Sequence, residues 1–139
     1  MRLDDCFRKR LLLRMPKNKD LVEKTFDMAV NDLSEAETSY KQQSYVWASV
    51  QVYTSMLNLA RAVLFSEGIR EKSHVCTVEY LRKYHSDHYD DLIEKLDILR
   101  RERHLTLYDS REHVTADKVK ERINWCKEFL KKTKELLKM

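Results

Sequence analysis

Apolar residues recur along most of the chain at alternating steps of four and three residues, the spacing that places side chains on one face of an α-helix. One such segment spans about residues 18–42, a second about residues 44–67, and a third runs from residue 115 to the end. The pattern predicts three long amphipathic helices. Their apolar positions are Val22, Phe26, Ala29, Leu33, Ala36 and Tyr40, then Val46, Val50, Tyr53, Leu57, Ala60 and Leu64, then Val119, Ile123, Cys126, Leu130, Thr133 and Leu137.

Shorter helices are predicted around these segments. One runs from Ser73 or His74 to about His85, and the next begins at Ser86 or Asp87 and continues to about residue 107. A short basic helix over residues 3–14 precedes the long ones, and Pro16 ends it because the residue before a proline avoids helical angles. The inward positions of the two middle helices are Val75, Val78 and Leu81, and Tyr89, Leu92, Leu96 and Leu99.

Three residues mark helix ends. Ser44 and Thr115 are predicted N-caps, since their hydroxyls can accept a hydrogen bond from a free backbone N–H of the first turn. Gly68 follows the second long helix at the point where a left-handed C-cap residue is favoured.

The composition excludes several fold classes. The chain has 139 residues with one glycine and one proline, too few for the tight turns of a β-rich fold or for a glycine-rich phosphate loop. With 36% charged and 42% hydrophobic residues it suits amphipathic helices. We therefore predict an all-α fold, an antiparallel up-and-down bundle of four to five main helices. Residues 1–16 form a basic N-terminal arm and residues 17–139 the bundle.

The net charge and the cysteine content restrict the possible partners and the cellular compartment. The net charge of +4 is compatible with nucleic acid without requiring it. The three cysteines are widely spaced and odd in number, which predicts no disulfide framework and a reducing, cytoplasmic location. Cys126 is expected to be a small core residue. The longest apolar run near the N-terminus, Leu11–Leu13, is too short for a signal or a membrane span.

The sequence indicates no metal and no cofactor. His85 and His88, with two aspartates nearby, are residue types that bind metal ions. A metal site needs three or four converging ligands, and the rest of the chain offers none for this stretch. A helix-capping turn is the preferred interpretation of this stretch.

The segment from Leu99 to Asp109 concentrates the candidate chemistry, because it contains Arg100, Arg101, Arg103, His104 and Tyr108. On a helix, Arg100, His104 and Tyr108 lie four residues apart and share one stripe. Guanidinium groups donate hydrogen bonds in a planar fork that fits phosphate, and histidine exchanges a proton near neutral pH. We predict a phosphate-binding surface here. The alternative is an ordinary charged helix flank with exposed ion pairs.

Two arginines fall near apolar positions. Helix phase places Arg103 on the inner seam beside Leu99, where a buried guanidinium needs a carboxylate or a ligand phosphate. Arg61 is the one fixed charge between residues 45 and 66. It is expected to reach the bundle edge, to pair with Glu67 or with a carboxylate of another helix, or to bind phosphate.

Three stretches in this order resemble the prokaryotic HEPN family of small helical proteins. They are LARAVLFSEG at residues 59–68, REKSH at residues 70–74 and RRERH at residues 100–104. The similarity covers most of residues 18–138, and the lead-in at residues 11–16 looks like that of some archaeal members.

The resemblance implies a dimer with a polar cleft at or near its interface. Active members are metal-independent ribonucleases, and many are toxins paired with a small nucleotidyltransferase antitoxin. Their motif places an Arg and a His against the scissile phosphate. The ribose hydroxyl attacks phosphorus, the His takes part in proton transfer, and the Arg stabilises the developing charge.

Carried onto this chain, the motif falls on Arg100 and His104 as catalytic residues, with Arg101, Arg103, Tyr108 and Arg61 as nucleotide- or RNA-binding residues. Arg100 and His104 are separated by three residues, one fewer than the shortest family spacing. The tyrosine that a nucleotidyltransferase modifies in some members would fall at position 106, which is Thr here.

Two hypotheses follow. The first is a nucleotide- or RNA-binding protein that works with a nucleotidyltransferase partner, with or without ribonuclease activity. The second is a catalytically silent, dimeric protein-interaction module.

Overall fold

The computed structural model describes residues 1–104 and 114–139, with only the backbone of His104. Over this part of the chain it contains six helices and two short strands, and it confirms the all-α fold with five main helices after a short N-terminal one. The elements are α1 (Leu3–Arg8), β1 (Leu12–Arg14), α2 (Lys19–Lys41), α3 (Tyr45–Ser66), β2 (Ile69–Glu71), α4 (His74–Tyr89), α5 (Leu92–His104) and α6 (Ala116–Leu137).

The helix ends follow the capping residues in most places. Thr115 accepts a hydrogen bond from Lys118 N and caps α6 as predicted. Ser44 occupies the N-cap position of α3, but its side chain makes no capping hydrogen bond. Gly68 has the predicted left-handed conformation, with φ of +74°. A Cβ atom there would lie 2.8 Å from the carbonyl oxygen of Met15, so a larger residue would force the two segments apart.

The predicted break between the two middle helices was wrong by about four residues. α4 continues to Tyr89, and the chain turns at Asp90, whose φ is +54°. Tyr89 is fully buried, its ring stacks on Phe129 with centroids 4.5 Å apart, and its hydroxyl bonds Thr133. This packing against α6 outweighs the capping signal at residues 86 and 87.

The predicted helix over residues 3–14 was also wrong in its second half. Only α1 is helical, and Leu12–Arg14 form β1, which pairs antiparallel with β2 and places Leu12 opposite Glu71. Leu12 is 1% exposed. The strand is favoured over a solvated helical turn in this segment because strand pairing buries an apolar side chain.

The expectation of no disulfide was wrong. Cys6 in α1 and Cys76 in the first turn of α4 are joined across 70 residues of sequence. The spacing of the cysteines along the chain carries no information on this pairing. The two residues meet because the N-terminal arm packs against α4. The disulfide also removes the cysteine argument for a reducing compartment. Cys126 is free and fully buried as predicted, and burial raises the pKa of its thiol to about 12.

The main helices pack around α3, which is the most buried. α2 and α3 are antiparallel, since Tyr40 packs on Tyr45 near the turn while Asp32 accepts a hydrogen bond from Asn58 deeper in the bundle. α6 lies along α3, where the Cys126 thiol contacts the Ser55 hydroxyl. In the described ranges, no helix is long and apolar enough to cross a membrane.

α3 and α4 run in the same direction, which matters for the site. Tyr53 in α3 contacts His74 at the start of α4, and Glu67 at the end of α3 contacts His85 near the end of α4. β2 makes this possible because it carries the chain back along α3 before α4 begins.

Candidate functional site

The arginines of α5 are organised by one acidic side chain. Asp97 is 8% exposed, and its carboxylate accepts a hydrogen bond from Arg100 Nε at 2.8 Å and one from Arg82 at 3.2 Å. Arg101 Nε reaches the Asp97 carbonyl oxygen at 3.4 Å. Burial works to raise the pKa of Asp97, but the arginines outweigh it and lower that pKa. The predicted ion pairs are present, although their shared carboxylate is buried and not exposed.

Arg103 is exposed, so the prediction of a buried arginine on the inner seam was wrong. Its guanidinium carbon lies 5.8 Å from the ring centroid of Tyr53. Arg103 follows Leu99 by four residues and therefore lies on the face of α5 that is turned toward α3. The last turn of α5 reaches the surface, so the charged end of Arg103 remains in water.

Arg61 is tied to β2 and not to Glu67. Its Nε donates to Glu71 Oε1 at 2.5 Å, and the Glu71 side chain is only 7% exposed. A second nitrogen donates to Asn58 Oδ1 at 3.3 Å. Arg61 does pair with a carboxylate, but the predicted partners, Glu67 or a residue of another helix, were wrong, because β2 brings Glu71 beside it.

His74 completes the arrangement. Its Nδ1 lies 2.9 Å from the Tyr53 hydroxyl, and its Nε2 lies 3.5 Å from an Arg61 nitrogen. A guanidinium only donates hydrogen bonds, so in the neutral imidazole Nε2 accepts and Nδ1–H donates to Tyr53. The Tyr53 hydroxyl then keeps its own proton available for another acceptor.

We call Tyr53, Arg61, Glu71, His74, Arg100 and Arg103 the arginine–histidine cluster. Burial lowers the pKa of His74, and three nearby arginines lower it further against the opposing charge of Glu71. Burial also raises the pKa of Tyr53 to about 12, although the same arginines oppose it. The cluster therefore holds a neutral imidazole and a neutral phenol among cations, a setting that favours an added anion.

A small cleft adjoins the cluster between α3, α5 and the start of α6, with a cavity volume of about 30 Å³. Tyr53 and Arg103 belong to both the cleft and the arginine–histidine cluster. Among the described residues its charged lining is Glu102, Arg103, Lys118 and Arg122, and its apolar lining includes Val50, Leu99 and Val114. Arg122 binds both Glu102 oxygens, at 2.9 and 3.1 Å, and stacks over Trp125. The one carboxylate of this lining is thus already paired.

Not every predicted site residue can be placed. The structure brings Arg61, Arg100 and Arg103 to one cluster, while Arg101 is exposed beside it with 63% of its side chain accessible. His104 is the last residue of α5, and its side chain lies outside the described residues, as does all of Tyr108.

Sequence reasoning missed Tyr53 and His74. Tyr53 occupies an apolar seam position and carries no local signal. His74 stands at a helix start, and its one signal is that it ends the REKSH stretch of the family resemblance. Only the return of the chain through β2 brings them together.

Two further histidines in the described ranges, His85 and His88, are held by structural contacts. His85 Nε2 lies 2.8 Å from Glu67 Oε2, and His88 Nε2 lies 2.6 Å from the Lys132 carbonyl oxygen. Within residues 1–104 and 114–139 no three His, Cys, Asp or Glu side chains are grouped so as to hold a metal ion.

Comparison with known proteins agrees with this architecture. A search of curated proteins found no match. The family model of the HEPN domain matches residues 22–136, which covers α3, the cluster and all but the last residue of α6. The chain therefore belongs to the HEPN domain family, whose functions relate to nucleotides and RNA.

Proposed function

We propose that the arginine–histidine cluster and the adjoining cleft bind phosphate groups of RNA or of a nucleotide. The observation that carries the proposal is the position of two arginines at the Tyr53–His74 pair. An Arg61 nitrogen lies 3.5 Å from His74 Nε2, and the Arg103 guanidinium carbon lies 5.8 Å from the Tyr53 ring centroid. The charge of Arg100 acts on the same pair. Arginine forks match phosphate oxygens in geometry, and the Tyr53 hydroxyl adds a neutral donor.

An anion would be stabilised here in two ways. It would offset the mutual repulsion of the arginines, and it would favour the protonated form of His74, which gains a hydrogen bond to phosphate. Arg103 is exposed and can turn toward a ligand, whereas Glu71 keeps Arg61 in place.

The resemblance described above extends the proposal to metal-independent cleavage of RNA. The ribose 2′-hydroxyl would attack phosphorus, lose its proton to a base and expel the 5′-oxygen, which takes up a proton. His104 would take part in proton transfer and Arg100 would stabilise the charge on the phosphorane. The spacing of this pair, one residue short, makes the binding role the firmer part of the proposal.

The same resemblance supports a homodimer and a small nucleotidyltransferase partner, in a toxin–antitoxin-like pair. Light scattering of the purified protein would give the oligomeric state. Co-purification from the native cell, followed by identification of the bound chain, would test the partner.

The decisive experiment measures RNA cleavage and binding with excess chelator. We expect Arg103→Ala to weaken RNA binding at least about tenfold, because it removes charge-assisted hydrogen bonds. Arg8→Ala is the matched control, since Arg8 is an exposed arginine paired with Asp5 outside the cluster. Wild-type cleavage that His104→Ala abolishes would add the ribonuclease activity.

Two outcomes would contradict the proposal. Wild-type protein that is folded but binds neither RNA nor nucleotide would leave the silent interaction module as the function. Equal loss of affinity in Arg103→Ala and Arg8→Ala would mean general attraction to a basic surface and not a site.

A further inference from the structure

The edge of β1 that faces away from β2 has no strand beside it in the described part of the chain. Leu13 lies opposite Arg70, and backbone hydrogen bonds join the residue pairs two positions to either side of them. Because bonded and non-bonded pairs alternate in an antiparallel ladder, the N–H and C=O groups of Leu12 and Arg14 point away from β2. This edge therefore presents two backbone donors and two backbone acceptors.

A groove lies along the same edge. Its lining comes from α1, the turn after it and β1, without a residue of β2, and consists of Phe7, Arg10, Leu12, Leu13 and Arg14. The Arg14 guanidinium carbon lies 4.9 Å from the centroid of the Phe7 ring. Phe7 is partly buried against the core. The groove thus combines apolar and cationic side chains beside the unpaired backbone groups.

The outer face of the sheet is also apolar in part. Side chains alternate along a strand, and Leu12, which is 1% exposed, points into the core. Its neighbours in sequence therefore point outward. With the residues opposite them on β2, the outer face holds three half-buried apolar side chains and two exposed cations, namely Leu11, Leu13, Met15, Arg70 and Lys72. A further strand beside β1 would extend this face and cover its apolar side chains.

The charges select an acidic occupant. The two nearby ion pairs are Arg8 with Asp5 and Arg61 with Glu71. In the described ranges, four more cations of this region pair with no carboxylate, and these are Arg10, Arg14, Arg70 and Lys72. A second copy of the chain would bring four more cations to the same sheet, so repulsion disfavours pairing between copies. RNA would match the charges, but it adds no strand to the edge and covers no apolar face.

We propose that the free edge of β1 docks an extended acidic segment of a partner protein, which adds a third strand to the sheet. Main-chain hydrogen bonds to Leu12 and Arg14 supply affinity, and the side chains supply specificity. Acidic and apolar residues alternate in the segment, because Arg14 and Leu13 lie on opposite faces of β1. The inference is independent of the proposed function, since no step of it involves RNA.

A peptide in which Glu and Val alternate is the probe, and one in which Lys and Val alternate is its control. We expect the labelled Glu–Val peptide to bind saturably in anisotropy titrations, and the Lys–Val peptide to bind at least about tenfold more weakly. Amide hydrogen exchange locates the contact. The peptide should slow exchange at Leu12 and Arg14 about tenfold or more, and change it little at Leu13, whose N–H already bonds β2.

Variants of Arg14 separate the backbone from the charge. Arg14→Pro removes the N–H on the free edge without removing a hydrogen bond to β2, whereas Arg14→Ala removes only the charge. Peptide affinity should fall about threefold in Arg14→Ala and about tenfold or more in Arg14→Pro. Lys24→Ala is the matched control, because Lys24 is an exposed cation on α2. Urea unfolding shows that each variant is folded.

Four outcomes would overturn the proposal. The first is wild-type protein that does not bind the Glu–Val peptide at millimolar concentration, or binds it without slower exchange at Leu12 and Arg14. The second is equal loss of peptide affinity in Arg14→Pro and Lys24→Ala, which would indicate general attraction to a basic surface. A dimer in light scattering that Arg14→Pro abolishes would assign the edge to a second copy. Binding of a 2′-O-methyl oligouridylate that Arg14→Pro weakens as much as peptide binding would assign it to RNA.

Discussion

The two ends of α4 are joined to α3 by the same residue types in opposite electrostatic settings. At the start of α4, His74 contacts Tyr53, and the surrounding charges are mostly arginines. Toward its end, Tyr80 and His85 both contact Glu67, with the Tyr80 hydroxyl donating at 2.7 Å. One histidine is paired with a phenol among cations, and the other with a carboxylate.

This difference separates a binding site from a structural contact. Burial works to raise the pKa of Glu67, but the hydrogen bonds from His85 and Tyr80 outweigh it and lower that pKa. The carboxylate therefore has its partners within the fold. Around His74, burial and three arginines lower the pKa instead, against the opposing charge of Glu71. Glu71 pairs with Arg61 and Asp97 pairs with Arg100, whereas Arg103 is exposed over Tyr53, where an anion can reach it. The same side chains serve function or stability according to the charges around them.

The largest expected effect concerns the disulfide that holds the start of α4. We expect Cys6→Ser to lower the free energy of unfolding by about 4 kcal/mol, because the crosslink closes a long loop in the unfolded chain. Urea unfolding of the wild type and the variant measures it. Dithiothreitol should lower the stability of the wild type to a similar extent and leave that of Cys6→Ser unchanged. An identical midpoint for oxidised and reduced wild type would contradict the expectation.

A matched pair of carboxylate variants tests the comparison directly. Glu67→Gln should lower stability by about 1–2 kcal/mol, since Glu67 is partly exposed, and leave RNA affinity unchanged. Glu71→Gln should also destabilise, because it leaves Arg61 without its carboxylate, yet it should tighten RNA binding severalfold by adding a free cation. Urea unfolding and RNA titration of both variants measure these effects. Equal RNA affinities for the two would mean that the two ends of α4 do not differ in function.

The smallest expected effect is in pH dependence. The pKa of His74 in the folded protein lies below the ordinary histidine value of 6.5, so its neutral form contributes stability above that pH. The contribution is lost as pH falls through the folded-state pKa. A bound phosphate reverses the preference. RNA binding should therefore tighten severalfold between about pH 7 and pH 5.5.

The groups that face His74 are Tyr53 and Arg61 on α3, Glu71 on β2, and Arg100 and Arg103 on α5. Titration calorimetry at several pH values measures the dependence. His74→Gln should abolish it, whereas His85→Gln, at the other end of α4, should retain it. If the RNA affinity of His74→Gln depends on pH as steeply as that of the wild type, the proton that is taken up on binding belongs to another group.

The helices could be predicted from the sequence because their apolar seams repeat over many turns. Residues 18–42 and 44–67 became α2 and α3 within one or two residues, and Thr115 caps α6. The short elements could not be predicted. Strand pairing of Leu12–Arg14 and the extension of α4 to Tyr89 depend on partners distant in sequence.

The candidate site divides in the same way. Arg61, Arg100 and Arg103 could be predicted as candidate phosphate ligands because guanidinium groups stand out in an amphipathic pattern. Tyr53 and His74 were not, because a tyrosine on a seam and a histidine at a helix start are ordinary locally.

The sequence by itself determined the helical class, a bundle of four to five main helices, the family and the arginines that are candidates for phosphate binding. Only the tertiary structure decided which groups meet. It joined Cys6 to Cys76, placed Arg103 at the surface over Tyr53, and brought His74 beside Arg61. The physical reason is that periodicity specifies which face of a helix is buried. The identity of the neighbour across that face depends on how the chain returns, here through β2.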